Sequence, residues 1–415
     1  MKDRYLKTFL CGSSVSLFGA GLLGIVNYLI RRTLCYNMTL TDYGTFYSTF
    51  ALLFMIFSFT DLGLTQSGTV MIASANEDPD QRNAIFTHIF LIKGLLAVIC
   101  SAAIFIFFLT KQNTLELIFL LIFLCYFTAQ IIMGSLHALW GGLKKYHIQQ
   151  LAYIAIAILT LALLYILKKF DLRFVSIAFL SPVIIVLISG LTYSHCRKLG
   201  SIKLHMEKAT FKKLLTMGGL IAITTTLLNV MYYMDTVMLN ALKGPQSAGM
   251  YNVALPIMQI VQAAMLFPVV ILPIAVEMEK NKEYTKLLKI VRYSLLIAIT
   301  AVLPTSIIFH YCSPWLIRIL FKPEYVTISS TVTILCTGLI FFTLGNFLFQ
   351  IVICLQKNIS VIIIAIFSVC MNMLLNYYLI LKIDIRGAAY ATLISYTIFS
   401  ISTYITLEYN LRKQK

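Results

Sequence analysis

The sequence predicts an all-α polytopic membrane protein with about twelve transmembrane helices, in two six-helix pseudo-symmetric halves around a central cleft. Of its 415 residues, 60% are hydrophobic and 12% are charged, against roughly 45–50% and about 25% in soluble domains. The mean hydropathy is +0.88. Each spanning helix needs about 20 apolar residues. Twelve such helices with short loops, at about 35 residues per helix and loop, would take up the whole chain. This excludes a water-soluble enzyme and a large extramembrane domain.

Twelve apolar runs are long enough to cross a bilayer, and they must be helical because lipid offers no partner to unpaired backbone groups. The runs are residues 8–34, 43–72, 85–110, 115–138, 148–168, 173–195, 214–241, 250–276, 288–312, 326–355, 360–381 and 387–408. The second and tenth runs exceed the bilayer thickness, which predicts that they are tilted, broken or extended into the interface. Pro256, Pro268 and Pro273 interrupt the eighth run, and Gly218-Gly219 opens the seventh. Such breaks either line a transport path or are static kinks.

The distribution of positive charge predicts the orientation. Of the 33 Lys and Arg residues, 21 lie in segments on the side of the N-terminus and 11 on the opposite side. Since cytoplasmic loops carry the excess of Lys and Arg, both termini are predicted to be cytoplasmic. This topology and contact with anionic membrane lipid account for the formal net charge of +17. We therefore predict no nucleic-acid partner.

The nine Cys residues are scattered and form no CxxC pair, which is typical of small buried hydrophobic residues rather than of disulfides or metal ligands. The sequence has no recognisable nucleophile triad, metal-ligand cluster or phosphate loop, so it predicts neither an enzyme nor a bound cofactor. The basic start Met1–Lys7 lacks a clear signal-peptide cleavage site. The apolar run behind it is expected to remain as the first span.

The longest polar segment, 196–213, follows the sixth run and predicts a basic cytoplasmic linker between an N-terminal lobe (1–195) and a C-terminal lobe (214–415). The two halves share a weak sequence repeat. Gly44 and Gly249 follow the first and seventh runs, 205 positions apart, and an aromatic residue stands two positions after each. Because each half has an even number of runs, the repeats are parallel, which is a common plan for transporters.

Three stretches carry a resemblance to a known family. They are Thr41-Asp42-Tyr43-Gly44-Thr45-Phe46 followed by Asp61-Leu62-Gly63-Leu64, Tyr232-Tyr233-Met234-Asp235-Thr236-Val237-Met238-Leu239 followed by Ala248-Gly249-Met250-Tyr251-Asn252-Val253-Ala254, and Asn372-Met373-Leu374-Leu375-Asn376 with Ile385-Arg386-Gly387-Ala388-Ala389-Tyr390-Ala391-Thr392. In this order they resemble the polysaccharide flippases of the multidrug/oligosaccharidyl-lipid/polysaccharide exporter superfamily over nearly the whole chain. The resemblance implies a twelve-helix transporter that works by alternating access. Its substrate would be oligosaccharide repeat units on undecaprenyl diphosphate, moved to the periplasmic leaflet of the bacterial inner membrane for O-antigen or capsule biosynthesis.

The partners that follow are the lipid-linked oligosaccharide, membrane lipid, H⁺ or Na⁺ as coupling ion, and polysaccharide polymerase and glycosyltransferases. Two alternatives stay open. A multidrug exporter shares the fold, and fold alone does not choose a substrate, although a cleft for cationic drugs is expected to favour acidic residues. A membrane-embedded polymerase or glycosyltransferase is disfavoured because the loops of this chain are short.

Ionisable residues inside spans are costly and are therefore functional candidates. Lys93 is expected about 13 Å inside the third span, counted from Ala84 at 1.5 Å per residue. There it would attract a diphosphate in the cleft, or else extend its ammonium back to the interface. Arg31 ends the first span, and Asp235 falls at the equivalent place in the seventh, since the 205-residue offset matches it to Ile30. We predict that they form a periplasmic gate pair, with Arg31 also near the substrate and Asp235 also a candidate for ion coupling. The alternative is an interfacial arginine and an aspartate that caps local backbone.

Uncharged polar side chains are also expected in the cleft, because a sugar needs amide and hydroxyl partners. These candidates are Asn27, Tyr232, Gln259 and Gln262. Similar residues hold membrane helices together, and for Asn372 and Asn376 we favour that role. Asp61 is expected to cap or pair locally at the edge of the second span, and Trp140 and Trp315 are expected in the interfacial belt.

Overall fold

The structure is a computed structural model that describes residues 2–75, 77–110, 116–202, 208–264, 278, 281–355 and 358–413. Within these ranges the chain is helical and has no strand. The helices are α1 Lys2–Asn37, α2 Leu40–Ser58, α3 Leu64–Ser74, α4 Pro79–Thr110, α5 Leu117–Gly142, α6 Tyr146–Leu167, α7 Leu172–Cys196, α8 Lys208–Lys243, α9 Pro245–Ala264, α10 Tyr284–Leu320, α11 Ser329–Cys354 and α12 Asn358–Lys413. Short 3₁₀ segments, Phe59–Asp61 and Pro323–Ile328, precede α3 and α11.

These helices follow the predicted apolar runs. The second run is α2 and α3 together, and the last two runs form α12, whose backbone leaves the helical conformation at Ile383 and Asp384. In the described part of the chain, eight helices are long and apolar enough to cross a membrane, or nine if the two parts of α8 count as one span. The predicted fold class, an all-α multi-pass membrane protein, is therefore confirmed. Pro256 lies within α9, whereas Pro268 and Pro273 lie outside the described residues.

The second span is broken near its middle, which is one of the outcomes that its length predicted. After α2 ends at Ser58, the chain makes a short 3₁₀ turn, and Leu62 and Gly63 then take left-handed backbone angles, with φ of 47° and 67°. Glycine suits this position because it has no Cβ. A Cβ on Gly63 would also overlap the backbone carbonyl of Gly218. At the end of α2 the Ser58 carbonyl accepts a hydrogen bond of 3.1 Å from the Thr226 hydroxyl, which supplies one of the partners that a helix terminus lacks.

The helices group into two compact units. Unit 1 comprises Met1–Asn37 and Leu53–Thr226, and unit 2 comprises Met38–Leu52 and Leu227–Lys415. The helices α2 and α8 therefore each contribute residues to both units. The functional lobes 1–195 and 214–415, joined by the linker 196–213, stay a prediction.

The core of unit 1 contains Trp140, whose predicted place in the interfacial belt is wrong. Its side chain is 1% exposed, and the indole N–H donates a hydrogen bond of 3.0 Å to the Ser194 hydroxyl. A buried indole is tolerated because its single polar group finds a partner. Gly190 leaves room for the ring, since a Cβ there would lie 3.0 Å from it. Trp315 is 63% exposed, as a belt residue would be.

Inside unit 2, the two repeat-related segments pack against each other. A Cβ on Gly44 or on Gly249 would overlap a backbone carbonyl of the opposite segment, so the helices α2 and α9 cross in direct backbone contact. Beside this crossing, the Gln246 amide donates to the Thr41 hydroxyl at 3.4 Å. Gly44 and Gly249 are 205 positions apart in the sequence, and so are Thr41 and Gln246. Contact between equivalent residues is what a local two-fold relation between the repeats would produce.

Candidate functional site

Asp235 of α8 is buried in unit 2 and is held by hydroxyl and amide donors. Its side chain is 2% exposed. The Tyr251 hydroxyl donates to Oδ2 at 2.5 Å, and the Asn376 amide donates to Oδ1 at 2.8 Å. The Thr392 hydroxyl also donates to Oδ2. Among the described residues, no cationic side chain pairs with this carboxylate, so three neutral donors from α9 and α12 replace its hydration.

Two asparagines extend this cluster. The Asn376 amide nitrogen also donates to the Asn372 Oδ1 at 3.1 Å. Both side chains are fully buried, yet the Asn376 Oδ1 has no hydrogen-bond partner in the described part of the chain. Buried polar atoms are nearly always paired. The cluster therefore combines one carboxylate with hydroxyl oxygens and one unpaired amide oxygen, which are groups that can bind a proton or a small hard cation.

The fold brings these residues together through the break in α12. Asn376 lies before the break and Thr392 after it, and both reach the same carboxylate. Asp384 takes a left-handed φ of 53° at the break. Beyond it, the two halves of α12 pass so closely that a Cβ on Gly387 would overlap the Leu379 carbonyl. A bulkier residue at Gly387 would push apart the two halves that hold Asp235.

Unit 1 contains a second buried polar cluster at the break in the second span. Lys93 of α4 is 1% exposed, and its ammonium lies 2.6 Å from the Asp61 Oδ1, whose side chain is 25% exposed. The ammonium also donates to the Thr65 hydroxyl at 2.6 Å, and that hydroxyl donates to the Asp61 Oδ1 at 2.6 Å. Gly134 of α5 leaves the space that the ammonium occupies. The three side chains connect α4 to both sides of the break.

The structure places the Lys93 ammonium in a buried ion pair with Asp61. Its return to the interface, the alternative to a place in the cleft, stays a prediction, because the position of the membrane is not part of the structure. Direct contact with a diphosphate stays a prediction. Asp61 does pair locally, since it accepts the hydrogen bond from Thr65 four positions along the chain. It also forms an ion pair, which the sequence did not predict, with a residue 32 positions away on another helix.

The remaining candidates divide between the units. Asn27 is exposed and Arg31 half-buried in unit 1. In unit 2, Tyr232, Gln259 and Gln262 are half-buried, and the Gln259 amide donates to the Tyr232 hydroxyl at 2.9 Å. This amide–hydroxyl pair brings two of the cleft candidates together. The pairing of Arg31 with Asp235 stays a prediction.

Sequence reasoning did not assign Tyr251 and Thr392 to the cluster around Asp235. The sequence patterns place Tyr251 in the repeat motif and in the second of the three stretches that resemble the family, but not in a site. The sequence signal for Asn372 and Asn376 is their spacing of four positions, which favours a role in helix packing. The structure shows that Asn376 does link α12 to α8, and that it does so through the Asp235 carboxylate.

Comparison with known proteins agrees with this architecture. The family described as "Polysaccharide biosynthesis protein" matches residues 10–279. An uncharacterized membrane protein of Methanocaldococcus jannaschii is 25% identical over 421 residues, which cover 94% of this chain and 82% of that protein.

Several solved structures share the fold. An inward-facing multidrug resistance MATE family transporter of the MOP superfamily has a TM-score of 0.75 at 13% identity, covering 94% of this chain and 95% of its own. An outward-facing structure of such a transporter has a TM-score of 0.71 at 14% identity, covering 99% and 96%. A MOP superfamily transporter from Pyrococcus furiosus, described as having a binding pocket of reverse polarity, has a TM-score of 0.71 at 13% identity, covering 98% and 96%. At such identities the likeness concerns the fold.

Proposed function

This chain belongs to the polysaccharide biosynthesis protein family, and from that premise we propose that it is a flippase for lipid-linked oligosaccharides. The observation that carries the proposal is the combination of that family, matched over residues 10–279, with a fold shared by MOP superfamily transporters over nearly the whole chain. The substrate would be an oligosaccharide repeat unit on undecaprenyl diphosphate. It would pass from the cytoplasmic to the outer leaflet of the cytoplasmic membrane, with both termini of the chain in the cytoplasm.

The mechanism we propose is alternating access. The sugar and diphosphate would enter a polar cleft while the lipid tail stays in the bilayer. Tyr232 and Gln259 support this assignment because they already pair through groups that hydrogen-bond sugars, and both are half-buried. For Lys93, the ion pair with Asp61 favours a framework role at the broken second span over direct contact with the diphosphate. Glycosyltransferases would assemble the repeat unit before the transport step, and the polymerase would join repeat units after it.

Transport needs a driving force, and we propose that Asp235 binds the coupling cation, H⁺ or Na⁺. Ionisable residues inside membrane spans commonly mark ion pathways. The support here is a carboxylate that is 2% exposed, has no cationic partner among the described residues, and lies beside the unpaired Asn376 Oδ1. The test is the thermal stability of the purified protein in Na⁺ against choline, and across pH. Asp235→Asn should abolish the dependence, whereas Asp42→Asn, which alters a carboxylate bonded to Thr39, should keep it.

We further propose that Arg31 contacts Asp235 when the periplasmic side is closed. Arg31→Ala and Asp235→Ala should then each impair export, and the charge swap Arg31→Asp with Asp235→Arg should recover part of it. If Asp235 acts only within its own cluster, the swap recovers nothing. The cation-stability measurement above is independent of this result, so the two roles of Asp235 can be separated.

The flippase proposal is tested by deleting the gene in its host. The expected result is loss of surface polysaccharide with accumulation of lipid-linked repeat units on the cytoplasmic side, both restored by the wild-type gene. Unchanged polysaccharide together with sensitivity to cationic drugs would favour the multidrug exporter instead. Unlinked polymer accumulating without a lipid-linked intermediate would also contradict a flippase.

A further inference from the structure

We propose that unit 1 carries a binding site for a phosphate-bearing amphiphile between the C-terminal ends of α1 and α6. A cavity of about 460 Å³ opens there, with Arg32 and Tyr36 on the α1 side and Tyr165 and Lys168 on the α6 side. Small-molecule sites typically have volumes of roughly 300–1,000 Å³. The cavity is therefore large enough for a headgroup and does not require the whole ligand to be enclosed.

The charge of the lining favours an anion. Arg32 and Lys168 both face the cavity, and none of the described residues that line it is acidic. The Arg32 guanidinium lies 5.0 Å from the centre of the Tyr36 ring, and both side chains line the cavity, so the ring helps to position the cation there. Lys168 ends α6 as its cap, with its backbone N–H bonded to the Leu164 carbonyl at 3.2 Å. Two cations that flank the same cavity can neutralise one phosphate group.

The surroundings favour an amphiphile over a free ion. Next to the cavity on α6, Tyr165 is 59% exposed and Ile166 is 72% exposed, so an apolar surface continues from the charged pocket along the helix. A cation beside exposed aromatic and aliphatic side chains at a helix end is typical of the membrane–water interface, where the phosphate groups of lipids lie. The ligand chemistry is thus a phosphate ester or diphosphate on a hydrocarbon chain. It could come from an anionic phospholipid or from the isoprenyl diphosphate that carries a sugar.

The chain offers a matched control for the charge. Lys169 follows Lys168 directly but does not line the cavity, and its ammonium lies 4.6 Å from the centre of the Phe174 ring. Removing either lysine changes the net charge of the protein equally. A site at the cavity predicts that only Lys168 matters, whereas a diffuse surface attraction predicts equal effects.

The test is ligand-dependent thermal stabilisation of the purified full-length protein in a neutral detergent, with no transport readout. The probes are dioleoylphosphatidylglycerol against dioleoylphosphatidylcholine, and farnesyl diphosphate against farnesol. Wild type should be stabilised by at least one anionic probe, and R32Q/K168Q should weaken its apparent affinity roughly 10- to 30-fold, given a contribution of about three- to fivefold per cation near lipid phosphate. K169Q and the charge-retaining R32K/K168R should bind like wild type.

The probes that bind identify which kind of amphiphile occupies the site, a membrane phospholipid or the isoprenyl diphosphate of the substrate. A response to the phospholipid alone assigns the site to membrane lipid, and a response to farnesyl diphosphate assigns it to the substrate headgroup; either supports the site. No preference for the anionic probes, or an equal loss in K169Q, would overturn it. If the double glutamine variant does not purify, K168Q, at an exposed side chain, provides the same comparison. Because only binding is measured, the site can fail while the flippase proposal stands, and the reverse.

Discussion

For the ion pair between Lys93 and Asp61, at the break in the second span, we predict that removing one partner destabilises the protein more than removing the other. We compare Asp61→Asn with Lys93→Met, and both with the double variant. Asp61→Asn leaves an ammonium that is 1% exposed with the Thr65 hydroxyl and no counter-charge. Lys93→Met leaves a carboxylate that is 25% exposed and still accepts the Thr65 hydrogen bond. The aspartate variant should therefore be the less stable of the two.

The magnitudes follow from burial. Removing one partner of a buried pair costs about 3–5 kcal/mol, and replacing the whole pair by similar-sized neutral groups is often nearly neutral. We expect Asp61→Asn near that range and Lys93→Met at about 1–3 kcal/mol, the cost of one partly buried group losing a partner. The double variant should be more stable than Asp61→Asn alone, with a coupling of roughly 2 kcal/mol. Lys286→Met is the control, since its pair with Glu283 is exposed and such pairs contribute about 0–1 kcal/mol.

The assay is the thermal unfolding midpoint of the purified variants in one detergent, together with their level in the membrane. At about 2–4 °C per kcal/mol for a domain of about 200 residues, the size of unit 1, Asp61→Asn should lower the midpoint by about 6–20 °C, and the Lys286 control should lie close to wild type. A Lys93→Met variant less stable than Asp61→Asn, or single effects that add up in the double variant, would refute the reasoning.

Gly249→Ala should lower the free energy of unfolding by roughly 1–3 kcal/mol, as overpacking typically does, because its Cβ would lie 2.7 Å from a backbone carbonyl. The level of this variant in the membrane should fall as well. Gly24→Ala is the control: it has open space around its Cβ and should be neutral in the same thermal assay. Trp140→Phe removes a buried indole donor and should cost about 1–3 kcal/mol by chemical or thermal unfolding; an unchanged midpoint would contradict the packing described for unit 1. Reporter fusions should show Lys413 in the cytoplasm and Lys243 in the periplasm, and the opposite signals would invert the topology.

The sequence predicted the helices well because a bilayer imposes one structure on a long apolar run. The predicted second run, for example, spans both α2 and α3, and its excess length already favoured a break. The position of that break was not predictable from hydropathy. It depends on Gly63 meeting Gly218, a contact between segments more than 150 positions apart.

The candidate sites were less predictable for the same reason. Asp235 and Lys93 were found because charge is rare inside spans, but their partners are set by tertiary packing. Asn376 lies 141 positions from Asp235, and Thr392 reaches it only across the break in α12. Neither a periodic pattern nor residue spacing contains that information.

The central claim, that this chain moves lipid-linked oligosaccharide between leaflets, is tested most directly by reconstitution. Proteoliposomes would contain a fluorescent oligosaccharide on an isoprenyl diphosphate, and a membrane-impermeant quencher would report the fraction in the outer leaflet over time. We predict that wild type under a cation gradient makes the inner-leaflet pool accessible faster than protein-free vesicles do, and that Asp235→Asn, despite normal reconstitution, slows this transfer. Equal rates for wild type and protein-free vesicles, with and without H⁺ and Na⁺ gradients, would contradict the account.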